Sequence, residues 1–384
     1  MINFWDQTLR DGEQSPGVFF TPSEKVRLAE ELDKVGVKRA EVGFPIVSQD
    51  ESIAVRKILD QGLKMKVVCP ARCATGDIDA VAETGAKEVA VFIGTSPQLM
   101  KYSLRLTPAQ VISRLVDSVE YAVERGLHVH AVSEDSTRSD REFVIRALRE
   151  SVSAGARGVV ITDTLGVATP NKMYTFARQV RRRVRAKSYS VHAHDDLGLA
   201  TATTLAAIEA GFDAPQTTVN GIGERSGNTS FEEVALALEI LYGIKTGIRH
   251  ERIFHLAELV EKLSGVPIPV HKPVIGTNSF SHEAGVHVAA VLRNPVTYEP
   301  FPPEKIGRTR RFSLGKHSGS AIIEHLQPGS SPAQIARLTA KVKSLKRQMG
   351  KRNLQRLVVS KKALDRERSG VTAAEFRKLV SASR

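Results

Sequence analysis

From residue 2 to about residue 245, short runs rich in Val, Ile, Ala and aromatic residues alternate with longer stretches whose apolar positions recur every three or four residues. The short runs predict strands at 3–8, 39–44, 66–71, 88–94, 128–134, 158–163, 190–195 and 216–221. The longer stretches predict amphipathic helices. The first of them, TPSEKVRLAEELDKVG, opens on Thr21 and Pro22 with Glu24 in its first turn and closes at Gly36. Eight strands separated by helices over this length predict a closed α/β architecture, the TIM (β/α)8 barrel. An open doubly wound sheet is the alternative, and the absence of a Gly-x-Gly-x-x-Gly turn after the first strand argues against it.

The pattern changes after residue 275. Residues 276–320 are rich in Gly, Pro and His, with little helical periodicity beyond HEAGVHVAAVL, and 321–384 read as a mostly helical extension after the loop PGSSP. The expected organisation is therefore a barrel over 1–275, a linker or subdomain over 276–320 and a basic helical segment over 321–384. The formal net charge of +13 lies almost wholly in residues 341–384, where 14 Lys and Arg face 3 Asp and Glu. Few aromatics accompany those charges and no nucleic-acid motif is present, so a solvated basic face or a contact for an anionic partner is expected rather than nucleic-acid binding. No apolar run approaches membrane-spanning length, and the N-terminus enters a strand without a signal-like segment. Cys69 and Cys73 form neither a zinc knuckle nor a disulfide framework, and a cytoplasmic setting is the expectation.

The polar residues fall at one end of the predicted strands. Arg10, Asp11, Arg72, Glu134, Thr164, His192, His194 and Asn228 all lie at or just after strand C-terminal ends, which a barrel gathers on one face. His192 and His194 are two apart on a strand and so share a side. A pair of neutral imidazoles with a carboxylate brought alongside suits a divalent metal with open coordination positions.

Five motifs then stand in order: DQTLRDGEQ at 6–14, TDTLGVATP at 162–170, HAHDDLGLATA at 192–202, NGIGERSGN at 220–228 and LGKHSG at 314–319. Together they resemble the signature set of the homocitrate/isopropylmalate/citramalate synthase family from about residue 2 to 320. The resemblance implies a metal-dependent barrel that condenses acetyl-CoA with a 2-oxo acid and then hydrolyses the thioester to release CoA. It implies Asp11, His192, His194 and Asn228 as ligands of Mg2+, Mn2+ or Zn2+, with Asn228 equally readable as a turn residue beside Gly227. Arg10 would stabilise the alkoxide that develops on the ketone oxygen. Thr164 and Gln14 would contact substrate, although Thr164 could simply satisfy strand-end backbone. Glu134, His287 and Tyr298 match the family's proton relay, with His282 as a competing candidate. Because the family draws its His and Tyr from the partner subunit, a homodimer with shared active sites is implied. Gly221, Gly223 and Gly227 either stand near acetyl-CoA or form a tight turn.

The choice of 2-oxo acid is less constrained. A distal carboxylate or phosphonate needs a cation, and a branched aliphatic chain needs an apolar pocket. Arg72 and His130 could face the substrate, and a barrel-mouth ion pair is the alternative for Arg72. The wording of the motifs resembles homocitrate synthases most, with Asp195 after the histidine pair as one hint. Isopropylmalate, citramalate and phosphonomethylmalate synthases are the alternatives. A degenerate barrel that binds partners through its basic tail is the non-enzymatic one. Three departures from the family stand out: Asp195 where many relatives carry Asn, Val288-Ala289-Ala290 after His287, and Val132 where relatives often place a small polar residue. No Cys lies in the 220–228 turn, which argues against a hydroxymethylglutaryl-CoA-type lyase. No Lys stands near the end of strand six, which argues against a biotin-dependent carboxyltransferase.

Overall fold

A computed structural model describes residues 2–367 together with 377, 378 and 381. The chain divides into two units, Met1–Pro267 and Ile268–Arg384, so the first ends before the expected boundary at 275.

In the first unit eight parallel strands close into a barrel in sequence order. They are β1 (Trp5–Asp6), β2 (Arg39–Glu41), β3 (Lys66–Arg72), β4 (Glu88–Gly94), β5 (His128–Glu134), β6 (Gly158–Asp163), β7 (Ser188–Ala193) and β8 (Ala214–Thr217). Closure is made by β1 against β8, with Trp5 opposite Gln216. The predicted eighth strand ends early because Val219–Gly221 turns as a 3-10 helix, in which Asn220 and Gly221 both have positive φ. The seventh starts and stops two residues earlier than predicted, leaving His194 in an isolated bridge with Asn228.

Local sequence sets the helices around the barrel. Helix α1 (Pro22–Val35) has the predicted capping box, with Thr21 and Glu24 each bonded to the other's backbone, and ends at Gly36 with φ 105. Helices α2 (Gln49–Asp60), α3 (Thr75–Thr84) and α4 (Pro108–Glu124) follow the next strands. After them come α5 (Arg141–Ser153), α6 (Pro170–Arg183), α7 (Ala200–Glu209) and α8 (Phe231–Ile240). Helix α9 (Ile253–Ser264) packs on α1.

Inside the barrel, Trp5, Val68, Ala90 and Val160 form a buried layer against which Val132 packs. At the N-terminal ends of the strands the Glu88 carboxylate accepts from Arg39 Nε at 2.8 Å, Lys66 Nζ at 2.9 Å and His130 Nε2 at 3.1 Å. The His130 ring lies edge-on to Trp5, and Gly158 leaves the room it occupies: a Cβ there would stand 2.2 Å from His130 Nδ1. This charged cluster floors the barrel and confines the cavity to the opposite end.

The second unit holds the short parallel pair β9 (Ser281–His282) and β10 (Arg311–Phe312), with α10 (Gly285–Arg293), α11 (Ser320–Leu326) and α12 (Pro332–Glu367). Val288, Ile322 and Ile323 form its buried core, covered by Phe312, Ile335, Leu338 and Val342 among others. The expected helical extension is thus present as α11 and α12 as far as Glu367, most of its remainder lying outside the described residues, and α10 falls almost wholly in HEAGVHVAAVL, the stretch of 276–320 read as helical. No described helix is long and apolar enough to cross a membrane.

Candidate active site

The loop after β1 carries Arg10 and Asp11 over the C-terminal mouth of the barrel. Asp11 Oδ2 lies 3.8 Å from His192 Nε2 and 4.0 Å from His194 Nε2, and the two imidazole nitrogens are 3.1 Å apart. All three residues are buried. Ligands held about 2.0–2.2 Å from one divalent ion are themselves roughly 3–3.5 Å apart, so a small contraction of this triangle suffices.

Protonation favours the ligating state. Burial, then the neighbouring His194 charge, pushes His192 down to about 3, and burial likewise lowers His194. For Asp11 burial works upward, but Arg10, both histidines and the Asn228 amide together hold it below the usual carboxylate range. The Gly227 carbonyl, 3.2 Å from His194 Nδ1, accepts a hydrogen bond from the Nδ1–H tautomer, which leaves Nε2 free to ligate.

Asn228 Nδ2 donates to Asp11 Oδ1 at 2.6 Å, while its Oδ1 is buried without a hydrogen-bond partner. A spare oxygen beside two imidazoles and a carboxylate is what a metal site requires, so the residues present fit a divalent ion. The 221–228 turn is built around this group. A Cβ on Gly223 would stand 2.0 Å from Asn228 Nδ2 and 2.8 Å from Asp11 Oδ1. One on Gly227, where φ is +90, would meet the Gly221 carbonyl at 2.0 Å. Gly223 is thus required by close packing on the donor cluster and Gly227 by the tight turn itself.

Arg10 is clamped in place. Its Nη1 donates to Asp11 Oδ2, its Nε to Glu41 Oε2 and its Nη2 to Gln7 Oε1, each at 2.6 Å. Burial acts against the guanidinium charge, and Glu41 and Asp11 outweigh it. Burial raises the Glu41 carboxyl in turn. Glu41 and Gln7 are functional candidates that the motif reading missed. The available signal for Glu41 was an acidic residue at the C-terminal end of β2, and for Gln7 its place inside the DQTLRDGEQ motif.

Arg10, Asp11, Gln14, Glu134, Thr164, His192 and His194 line one cavity of about 260 Å3. Burial, and next the adjacent Asp135, raises the Glu134 carboxyl, and it makes no side-chain hydrogen bond among the described residues. Thr164 Oγ1 accepts from the Asp135 backbone N–H at 2.9 Å, so its expected strand-end role is present alongside its place in the cavity wall. At the rim, Arg225 is held in a left-handed backbone conformation (φ 56). It donates to both oxygens of Asp196 and to the Thr164 carbonyl.

Other expected residues lie elsewhere. Arg72 is exposed and bonded through Nε and Nη2 to Asp77 at 2.7 and 2.9 Å, outside the cavity lining, because that carboxylate at the start of α3 captures it. His130 points into the barrel as its parity requires, but one layer too deep, onto Glu88. Asp195 Oδ1 accepts from the backbone N–H of Ala200, the first residue of α7, at 2.8 Å, and Asp195 is not among the cavity-lining residues. In the second unit His287 and Tyr298 are exposed and stack with ring centroids 4.2 Å apart, whereas His282 is engaged by Glu299.

Residues 1–260 match the HMGL-like family, and residues 274–350 match the homocitrate synthase post-HMGL domain-like family. The chain belongs to the HMGL-like family. It is 46% identical over 84% of its length to a homocitrate synthase of Methanopyrus kandleri, covering 81% of that protein. A 2-isopropylmalate synthase of Sulfurisphaera tokodaii is 44% identical over 83% of each chain. A putative (R)-citramalate synthase of Methanopyrus kandleri is 45% identical over 84% of this chain, which spans 64% of that longer protein. Among solved structures, a hydroxymethylglutaryl-CoA lyase of Pseudomonas aeruginosa superposes with a TM-score of 0.62 at 22% identity. It covers 70% of this chain and 94% of its own, and the likeness concerns the fold alone. The relatives are thus named as synthases of three different products, homocitrate, 2-isopropylmalate and citramalate.

Proposed function

We propose that the chain condenses acetyl-CoA with a 2-oxo acid and releases CoA by hydrolysis of the resulting thioester. The observation that carries this reading is the buried Asp11–His192–His194 cluster at the barrel mouth with the Arg10 guanidinium fixed against it. Asp11, His192 and His194 would hold a divalent ion, which would supply Lewis-acid polarisation to the ketone of a 2-oxo acid bound through its carboxylate and ketone oxygens. Arg10, already oriented by Glu41 and Gln7, needs no reorganisation to stabilise negative charge growing on the ketone oxygen. The Glu134 carboxyl, with no hydrogen-bonded partner and raised by burial, suits holding a proton during the reaction. Thr164 suits the substrate carboxylate, and the turn at Gly221, Gly223 and Gly227 suits the acyl-CoA side.

By the family resemblance, removal of the acetyl methyl proton falls to the His287–Tyr298 pair. We assign that pair to the cavity of a second copy, which makes the functional unit a homodimer. The motif wording favours 2-oxoglutarate, giving homocitrate, and the names of the relatives supply 2-isopropylmalate and citramalate as alternative products. The absence of a cysteine from the 220–228 turn argues against lyase chemistry of the kind its structural neighbour performs.

Thiol release from acetyl-CoA, measured with Mg2+, Mn2+ or Zn2+ and a panel of 2-oxo acids, tests the reading. Metal-dependent release with at least one oxo acid is expected. No release with any of them sinks the proposal.

A further inference from the structure

We infer that the cavity selects a 2-oxo acid with an uncharged aliphatic side chain and rejects one with a distal carboxylate; this rests on the synthase reading and departs from the 2-oxoglutarate that the motif wording favours. The cavity has two unlike sides. The donor cluster and Arg10 come from β1, β7 and the turn after β8. Across the barrel, the lining from the loop after β2 and from β3, β4 and β5 is Phe44, Pro70, Ala90, Phe92 and Val132, with the Glu134 carboxyl at the end of β5 as its one charged group. An oxo acid held at the donor cluster by its carboxylate and ketone has only its C3 substituent left to extend across the barrel. That substituent meets rings and methyl groups.

A distal carboxylate would need a cation on this wall, because a buried charge without a partner is strongly disfavoured. The lining holds two guanidinium groups, and both are engaged: Arg10 by Asp11, Glu41 and Gln7, and Arg225 by Asp196 and the Thr164 carbonyl. The two histidines of the lining belong to the donor cluster. The nearest further candidates lie outside the cavity, Arg72 bidentate on Asp77 and His130 on Glu88 beneath it. An aliphatic substituent gains from desolvation on the same surface. Val132 is the determinant at the centre of this wall, two residues before Glu134 on β5 and packed on the barrel core.

The test compares 2-oxoisovalerate and pyruvate with 2-oxoglutarate and oxaloacetate, using the full-length metal-loaded protein and acetyl-CoA. The kcat/KM for the better aliphatic acid should exceed that for either diacid by at least about 100-fold. A diacid within tenfold of the aliphatic acids, or better than them, overturns the inference. Calorimetric titration of the Mn2+-loaded protein with 2-oxoisovalerate and 2-oxoglutarate separates this claim from the synthase reading. If no oxo acid releases CoA, the synthase reading fails. The wall is then judged by binding alone, with tighter 2-oxoisovalerate binding supporting it and tighter 2-oxoglutarate binding refuting it. Val132→Thr keeps the shape but adds a hydroxyl, and should raise the aliphatic acid's KM about tenfold with little change in kcat. An unchanged KM removes Val132 from the subsite. Arg72→Ala should leave the preference unaltered, and a change in relative diacid turnover would show that Arg72 reaches the substrate.

Discussion

Replacing Gly223 by Ala should damage metal binding while the barrel stays folded. The added methyl would fall 2.0 Å from Asn228 Nδ2 and 2.8 Å from Asp11 Oδ1, far inside contact distance. Relief requires Asn228 to swing away or the turn to lift. Either movement breaks the 2.6 Å Asn228–Asp11 hydrogen bond that orients the carboxylate. Loss of such an orienting partner typically weakens metal affinity about 10–100-fold, or about 1.4–2.7 kcal/mol. Insertion of one methyl into a packed turn costs the fold roughly 1–3 kcal/mol, a tolerable amount for a domain of this size. The assay is calorimetric titration of Gly223→Ala and wild type with Mn2+ and Zn2+, with circular dichroism to verify the fold. Metal should also raise the melting temperature of the variant less at equal concentration, because binding to the native state stabilises it in proportion to affinity. If Gly223→Ala is folded and binds metal as tightly as wild type, the argument that the glycine turn supports the donor cluster is wrong.

Three further perturbations probe other parts of the molecule. His192→Ala removes one donor of the cluster and should abolish metal-dependent CoA release without altering the circular dichroism spectrum; retained activity would exclude His192 from the site. Lys25 is fully buried on α1 between Glu13, 2.6 Å away, and Glu51. Lys25→Met leaves two largely buried carboxylates without their cation and should cost about 3–5 kcal/mol in urea unfolding, so a loss under about 1 kcal/mol contradicts the network. Burial raises the Asp6 carboxyl from 3.8 to about 7, against the hydrogen bonds from Thr8. A raised acid binds its proton more tightly when folded, so this contribution is fully present below pH 3.8, declines as pH rises towards 7 and is flat above it. Asp6→Asn should therefore gain stability relative to wild type across that window, by up to roughly 4 kcal/mol. Parallel pH–stability curves for the two proteins would refute the shift.

The sequence reading succeeded where periodicity or a dense motif carried the information. The fourth, fifth and sixth strands match the predicted spans residue for residue, because long β-branched runs sit between clear helix boundaries. It lost accuracy at β8, where the ladder gives way to a turn at Asn220-Gly221; an Asn-Gly pair is itself a turn signal. Within the site, Arg10, Asp11, His192 and His194 were legible because adjacent residues reinforce each other. Glu41 ends β2 outside any of the five motifs, and its role, like that of Gln7, becomes visible only when β1 and β2 are paired and both side chains meet Arg10. Strand parity correctly turned His130 inward, yet parity says nothing about depth, and Glu88 at the start of β4 decides that. For Arg72 the two readings left open, substrate contact or ion pair, divide on a local feature: the Asp77 carboxylate accepts from both its backbone N–H and its guanidinium.

The placement of donors and wall on different strands has a consequence for how such a barrel can change its substrate. Asp11, His192, His194 and Asn228 are linked by a short hydrogen bond, a backbone carbonyl and a turn with no room for side chains. A change there disturbs several partners at once. Pro70, Phe92 and Val132 contact that network through none of its hydrogen bonds, and each comes from a strand on the far side of the barrel. A substitution among them alters the surface offered to the C3 substituent while leaving the ketone and carboxylate held as before. Selectivity and chemistry are thereby separable. The names of the relatives agree with that separation: proteins of similar identity to this chain, 44–46%, are a homocitrate, a citramalate and a 2-isopropylmalate synthase. Overall identity therefore does not discriminate the oxo acid; on the selectivity proposed here, the charge and volume of Pro70, Phe92 and Val132 would.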